Sequence, residues 1–197
     1  MRRFALVIWL LVPVLVGAYH YGPGQRQLIL DDVAEILAEA DRHAAAGEWA
    51  EAEERYEAAL NLLPAEQVAE ARRIRLERAK AQMLAQKLPA AHQDLKALVR
   101  ELEEDSKADR KLVGEARAAL ANSQYYMTWL MRLEGQPKEK WEPEIEGSRQ
   151  TYRLLAEQAQ ADGDDDACEK NREDLESAVR LARMDLSDLQ GLPLPSQ

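Results

Sequence analysis

The chain has 197 residues, with 26 lysines and arginines against 36 aspartates and glutamates, and a formal net charge of −10. That length holds one medium domain, or one domain and a tail, and the acidic balance excludes nucleic acid, whose phosphates require a basic face. A single cysteine excludes an internal disulfide and any CxxC metal or redox site.

Ala, Leu, Glu, Gln and Arg dominate and Phe occurs once, so the composition favours helix over strand. Arg2 and Arg3 precede an unbroken apolar run from Phe4 to Val16, closed by Gly17 and Ala18. This pattern predicts either a secretory signal peptide over 1–18, cleaved after Ala18, or an uncleaved membrane anchor. As a helix, Phe4 to Tyr19 spans roughly 24 Å, short of the roughly 30 Å hydrocarbon core. A soluble buried helix is the third reading of the run. In the first two, the basic flank stays in the cytoplasm and the body lies outside it, in the periplasm or envelope, secreted or tethered through residues 4–19.

Residues 19–27 hold two Gly and a Pro and read as a linker. The body, 28–187, is expected to be all-α, with about seven helices. In the first, Val33, Ile36, Leu37, Ala40, His43 and Ala44 form one stripe, Asp31 and Asp32 stand at its start, and Gly47 ends it. Trp49, Ala52, Tyr56, Ala59, Leu60 and Leu63 form the second stripe, closed by Pro64. A third helix from about residue 66 turns Leu76, Ala79 and Met83 inward, and Pro89 opens a fourth with Ala91, Leu95, Leu98 and Leu102. A fifth runs from about 107 to 134, with Leu112, Val113, Ala116, Leu120, Ser123 and Tyr126 in its stripe. Lys138 to Glu142 reads as a polar connection around Trp141, and Pro143 opens a sixth helix. A seventh runs from about 165 to 186, carrying Cys168 on its apolar face, where it is expected to be inert. The tail, 188–197, is expected to be disordered. Short loops make neighbouring helices antiparallel.

Residues 33–66 resemble a tetratricopeptide repeat, a helix–turn–helix unit with an A-x3-F element and a late Pro. Gly47 and Trp49 match the family's turn, Ala52 and Tyr56 fill the A-x3-F element, Ala59 is the next small residue and Pro64 closes the unit. Small Ala lets paired helices approach, and the Tyr56 ring fills the space beside them. A weaker copy over 72–105 superposes Ala79, Leu88, Ala91, Leu95 and Leu98 on Ala40, Trp49, Ala52, Tyr56 and Ala59. Gln86 stands where Gly47 does, so this turn is expected to differ. A third copy is suggested by Gly135, Ser148, Tyr152 and Ala156.

The resemblance implies a solenoid of helix pairs whose concave face binds a peptide or protein. It places Leu37 and Asp41, then Lys80 and Met83, on that face; the reading placed ahead of it is that the same side chains are core between pairs, since an apolar stripe in a bundle is usually buried. Family members grip a terminal carboxylate with Lys and Asn, and Leu37 and Asp41 occupy those points here, so that mode is not implied. A face of Ala, Leu and Met suits an apolar or amphipathic helix. Trp141 is the further candidate contact.

No phosphate loop, dinucleotide fingerprint or nucleophile elbow is present, and none of the three His belongs to a zinc motif. No catalytic or metal-ligating residue and no cofactor is therefore assigned. Asp162, Asp164, Asp166 and Glu173 have the spacing of a calcium loop, but Ala167 stands where its turn needs Gly, and an acidic N-cap for the last helix is the commoner use of Asp at that place. The expected function is a non-enzymatic protein-interaction module on the extracytoplasmic side. A homo-oligomeric structural envelope protein and an enzyme are the alternatives.

Overall fold

The computed structural model describes residues 25–191. The expected leader at 1–18, most of the linker and the tail beyond 191 lie outside them. The fold is all-α, and among the described residues the chain forms eight helices that pack in adjacent pairs. They are α1 (Gln25–Ala46), α2 (Trp49–Leu62), α3 (Val68–Leu84), α4 (Leu88–Glu104), α5 (Arg110–Leu133), α6 (Lys138–Asp162), α7 (Asp165–Arg183) and α8 (Leu186–Gln190). Contacts divide the chain into two compact units, one ending at Val68 and one beginning at Ala69.

In the first unit, α1 and α2 form an antiparallel hairpin. The first helix starts at Gln25, earlier than the sequence suggests, so Asp31 and Asp32 lie within it rather than at its cap. Nothing between Gln25 and Asp31 breaks a helix; the last breaker is Gly24. At the other end Gly47 takes the left-handed conformation (φ +77°), and the Glu48 N–H donates to the His43 carbonyl at 2.9 Å. This closure satisfies a carbonyl that the helix end leaves open. Val33, Ala40, Ala52, Tyr56 and Ala59 are buried, and the Tyr56 hydroxyl donates to Asp41 Oδ1 at 2.7 Å. Leu63, extended ahead of Pro64, ends α2.

The second unit has two apolar clusters. Leu76, Ala79 and Met83 of α3 pack with Leu88, Ala91, Leu95, Leu98 and Leu102 of α4 and with Leu112 and Ala116 of α5. Farther along, Ala121 and Trp129 of α5 meet Ile145, Tyr152 and Leu155 of α6, Ala178 and Leu181 of α7 and Leu189 of α8. Charges close the edge of α3–α4: Arg72 holds Glu101 at 2.8 Å and Asp105 at 2.7 Å, and Arg78 holds Asp94 at 3.2 Å. The hydrogen bond from Arg72, joined by one from Arg75, keeps the Glu101 carboxyl below its ordinary range.

Three further features differ from expectation. Gln86 makes the same turn as Gly47: its φ is +62°, and the Lys87 N–H donates to the Gln82 carbonyl at 2.8 Å. The turn that was expected to differ is therefore conserved in geometry, at a conformational cost that glycine would avoid. Second, α6 begins at Lys138 with Pro137 at its cap, and Pro143 lies inside the helix rather than opening it. The residues read as a polar connection are its first turn. Third, α7 stops at Arg183, Met184 is extended, and α8 follows. Residues 188–190, assigned to the tail, belong to α8, whose Leu189 is 1% exposed in the second cluster. The buried Arg132 guanidinium donates to the carbonyls of Leu181 and Met184, so the bend between α7 and α8 rests on a cation from α5.

Candidate functional site

Gly47 makes the turn, Trp49 is the first residue of α2 and is half-buried, Ala52 and Ala59 are fully buried, and Pro64 follows the helix end. The candidate partner contacts are less uniform. Leu37 is half-buried, and Asp41 accepts the Tyr56 hydroxyl. Lys80 is paired with Glu77 at 2.8 Å. Met83 is a core residue, which removes it from any partner surface. Trp141 lies partly buried on α6, its ring 4.9 Å from the Arg132 guanidinium carbon, so a cation inside the same unit already occupies that face. The acids of the calcium-like stretch are divided by Gly163 (φ +74°). Asp164 caps α7 by accepting the Ala167 N–H at 3.0 Å. No three His, Cys, Asp or Glu side chains gather as a metal site would require among the described residues, and none of these helices is long and apolar enough to cross a membrane.

The most connected polar cluster was not visible in the sequence. Polar residues occupy core-facing positions on three successive helices: His92 on α4, Ser123, Gln124 and Thr128 on α5, and Ser148 on α6. The neighbouring Glu144 joins two of them, His92 and Gln124. Its Oε2 lies 3.4 Å from His92 Nε2 and accepts from Gln124 Nε2 at 3.2 Å, and its Oε1 lies 3.4 Å from Lys96 Nζ. The hydrogen bond with His92, aided by Gln124 and Lys96, holds the Glu144 carboxyl down to about 2 against the opposing effect of burial. On its other side, His92 Nδ1 lies 3.0 Å from Ser123 Oγ, which donates to the Leu120 carbonyl at 2.7 Å. Gly147 makes room for this arrangement, because a Cβ there would sit 2.6 Å from Gln124 Nε2.

Ser, His and Glu in a row resemble a nucleophile set in composition only. Ser123 is fully buried and spends its proton on a backbone carbonyl, so the row offers no nucleophile to a substrate. What it can do is bind three helices together. The only sequence signal was the interruption of apolar stripes by His92, Ser123 and Ser148.

Two recesses lie on the surface of the second unit. One of ≈ 660 Å³ between α7 and α8 has a floor of Leu175, Val179 and Met184, with Arg180, Arg183, Glu176 and Asp188 around it. Two cations and two anions give it no net sign. The other, ≈ 300 Å³, is lined by Pro89, Met127, Leu130 and Met131, with Glu134, Gln136 and Lys140 at its rim. Met127, Leu130 and Met131 fall on one face of α5, and Glu134 caps its end. Compared with family models and with the sequences of curated proteins, the chain matches none.

Proposed function

We propose that this chain is a non-enzymatic helical-repeat protein of the tetratricopeptide type, which binds another protein or peptide on the extracytoplasmic side of the membrane. One observation carries the reading: two hairpins with matched chemistry and a matched turn. Ala40, Ala52, Tyr56 and Ala59 of α1–α2 correspond to Ala79, Ala91, Leu95 and Leu98 of α3–α4, and all eight are buried. The closing bonds, Glu48 to His43 and Lys87 to Gln82, fall at the same register. Such units bury side chains through repetition and leave a long surface for partners. The methionine-lined recess suits an adaptable apolar contact. The basic, apolar N-terminus supports export, as a cleaved signal or as an anchor through residues 4–19.

A crosslinked pull-down from the native envelope tests this, using the full-length chain tagged at its C-terminus. Mass spectrometry of the same sample reads the mature N-terminus. A discrete stoichiometric partner is the expected result. Recovery of the chain only with itself would replace the reading with a homo-oligomeric structural protein. Recovery of the monomer alone would overturn both.

A further inference from the structure

We infer that the open end of the α1–α2 hairpin is a lipid-contact surface, which rests on the extracytoplasmic face of the bilayer that holds residues 4–19; this builds on the tethered form of the function proposed above. Six large hydrophobic side chains stand exposed among the described residues, and four of them, Leu28, Ile29, Leu62 and Val68, belong to this one end. Leu28 and Ile29 lie near the start of α1, and Leu62 is the last residue of α2. Val68 follows a turn closed by the Gln67 N–H on the Pro64 carbonyl at 2.9 Å. Arg26 and Glu66 pair at 3.8 Å, so the two chain segments lie side by side. A single exposed leucine is ordinary, whereas a group of apolar side chains at one end marks a contact.

What covers this end follows from its charge and from the chain that precedes it. Within 25–30 and 60–68 the only charged residues are Arg26 and Glu66, which answer each other, so the tip carries no net sign. Asp31 and Asp32 stand one turn further along α1 from Leu28, about 4.5 Å along the axis. A hairpin standing end-on therefore offers a bilayer its apolar tip first. The apolar run Phe4–Val16 lies just upstream, separated from Gln25 by residues 17–24. That stretch of chain reaches at most about 30 Å. With the run in the bilayer, the tip is held beside the headgroups at high effective concentration, and a few aliphatic side chains then suffice for contact. A second copy of the chain fits less well: a stable interface takes about 20–30 residues a side, and this end offers four large apolar ones.

The test reconstitutes the full-length chain in phosphatidylcholine vesicles whose acyl chains carry a photoreactive diazirine, and maps the labelled peptides by mass spectrometry. Label is expected in 4–16, on the peptide holding Leu28 and Ile29, and on the peptide holding Leu62 and Val68. The peptides holding Leu154 and Leu186, the other two exposed leucines, serve as controls and should stay unlabelled. High salt should leave the pattern unchanged, because the contact is apolar. Leu28→Gln combined with Leu62→Gln should cut the hairpin label by about tenfold and leave the label in 4–16 unchanged. Both side chains are exposed, so the variant should melt with the parent, which separates a lost contact from a lost fold. Label confined to 4–16 would overturn the inference and leave the tether standing. Equal label on the control peptides, or crosslinks joining the tips of two copies, would overturn it as well. A mature N-terminus at Tyr19 in chain from the native envelope would overturn the tether and the inference together.

Discussion

The hairpins α1–α2 and α3–α4 solve one geometric problem with different residues. Both reverse the chain through a single left-handed residue followed by a long backbone bond, and both bury a small residue early and a large one a turn later in the second helix. The first uses Gly47 at the turn and Tyr56 in the core; the second uses Gln86 and Leu95. Their edges also differ. In α1–α2 the polar ties are the buried-ring contact of Tyr56 with Asp41 and the surface contact of His43 with Glu48 at 2.6 Å. In α3–α4 a row of arginines, Arg72, Arg75 and Arg78, reaches across to Glu101, Asp105 and Asp94. The comparison teaches that the closing bond and the packed face set the turn. Glycine makes that turn cheap but is not required for it.

The largest expected effects come from the paired core positions. Tyr56→Ala should destabilise α1–α2 by about 3–5 kcal/mol, and Leu95→Ala should destabilise α3–α4 by about 2–5 kcal/mol. Urea denaturation checks both. If either variant unfolds with the parent, the two positions are not equivalent. Next is the acid limb of the second unit. Glu144 has a depressed carboxyl, so its contribution is complete above its ordinary value near 4.5 and is lost as pH falls toward about 2. Unfolding followed from pH 5 to pH 2 should show a loss of roughly 1–3 kcal/mol that Glu144→Gln removes. Arg72→Met should cost about 1 kcal/mol, since Arg72 bridges two carboxylates but at a solvent-screened edge. That loss should shrink in high salt. Smallest is His43→Ala, where an exposed pair contributes a few tenths of a kcal/mol.

Much of this fold was legible in the amino-acid order. The apolar stripes from Val33 to Leu102 recur at helical spacing, and their faces are the ones buried. Gly47 and Pro64 mark real ends because left-handed backbone and a missing N–H are local properties. The misses share a different cause, a distant contact that overrides a local preference. Gln86 carries no turn signal, and its conformation is held by the Lys87–Gln82 bond and the packing of α3 on α4. Pro143 looked like a helix start, but α6 extends back to Lys138, where Trp141 packs beside Arg132. The five residues of α8 are too few to show a period, and Leu189 is ordered by the cluster it enters. For the polar junction, three helices had to be placed before His92 and Glu144 came together. A histidine on an apolar stripe was visible, but its carboxylate partner was not.

The measurement that tests the equivalence of the two hairpins most directly is a reciprocal exchange at the turn. Gly47→Gln and Gln86→Gly would each be made in the full chain, with hydrogen exchange read over α1–α2 and α3–α4 separately. No atom lies within 4 Å of a Cβ built at Gly47, so the substitution there changes the backbone cost alone. The account predicts opposite shifts of about 1 kcal/mol: Gly47→Gln lowers protection in the first hairpin by roughly fivefold, and Gln86→Gly raises it in the second by a similar factor. If Gln86→Gly leaves α3–α4 unchanged or weakens it, the left-handed turn there is not the counterpart of Gly47, and the two hairpins are not copies of one unit.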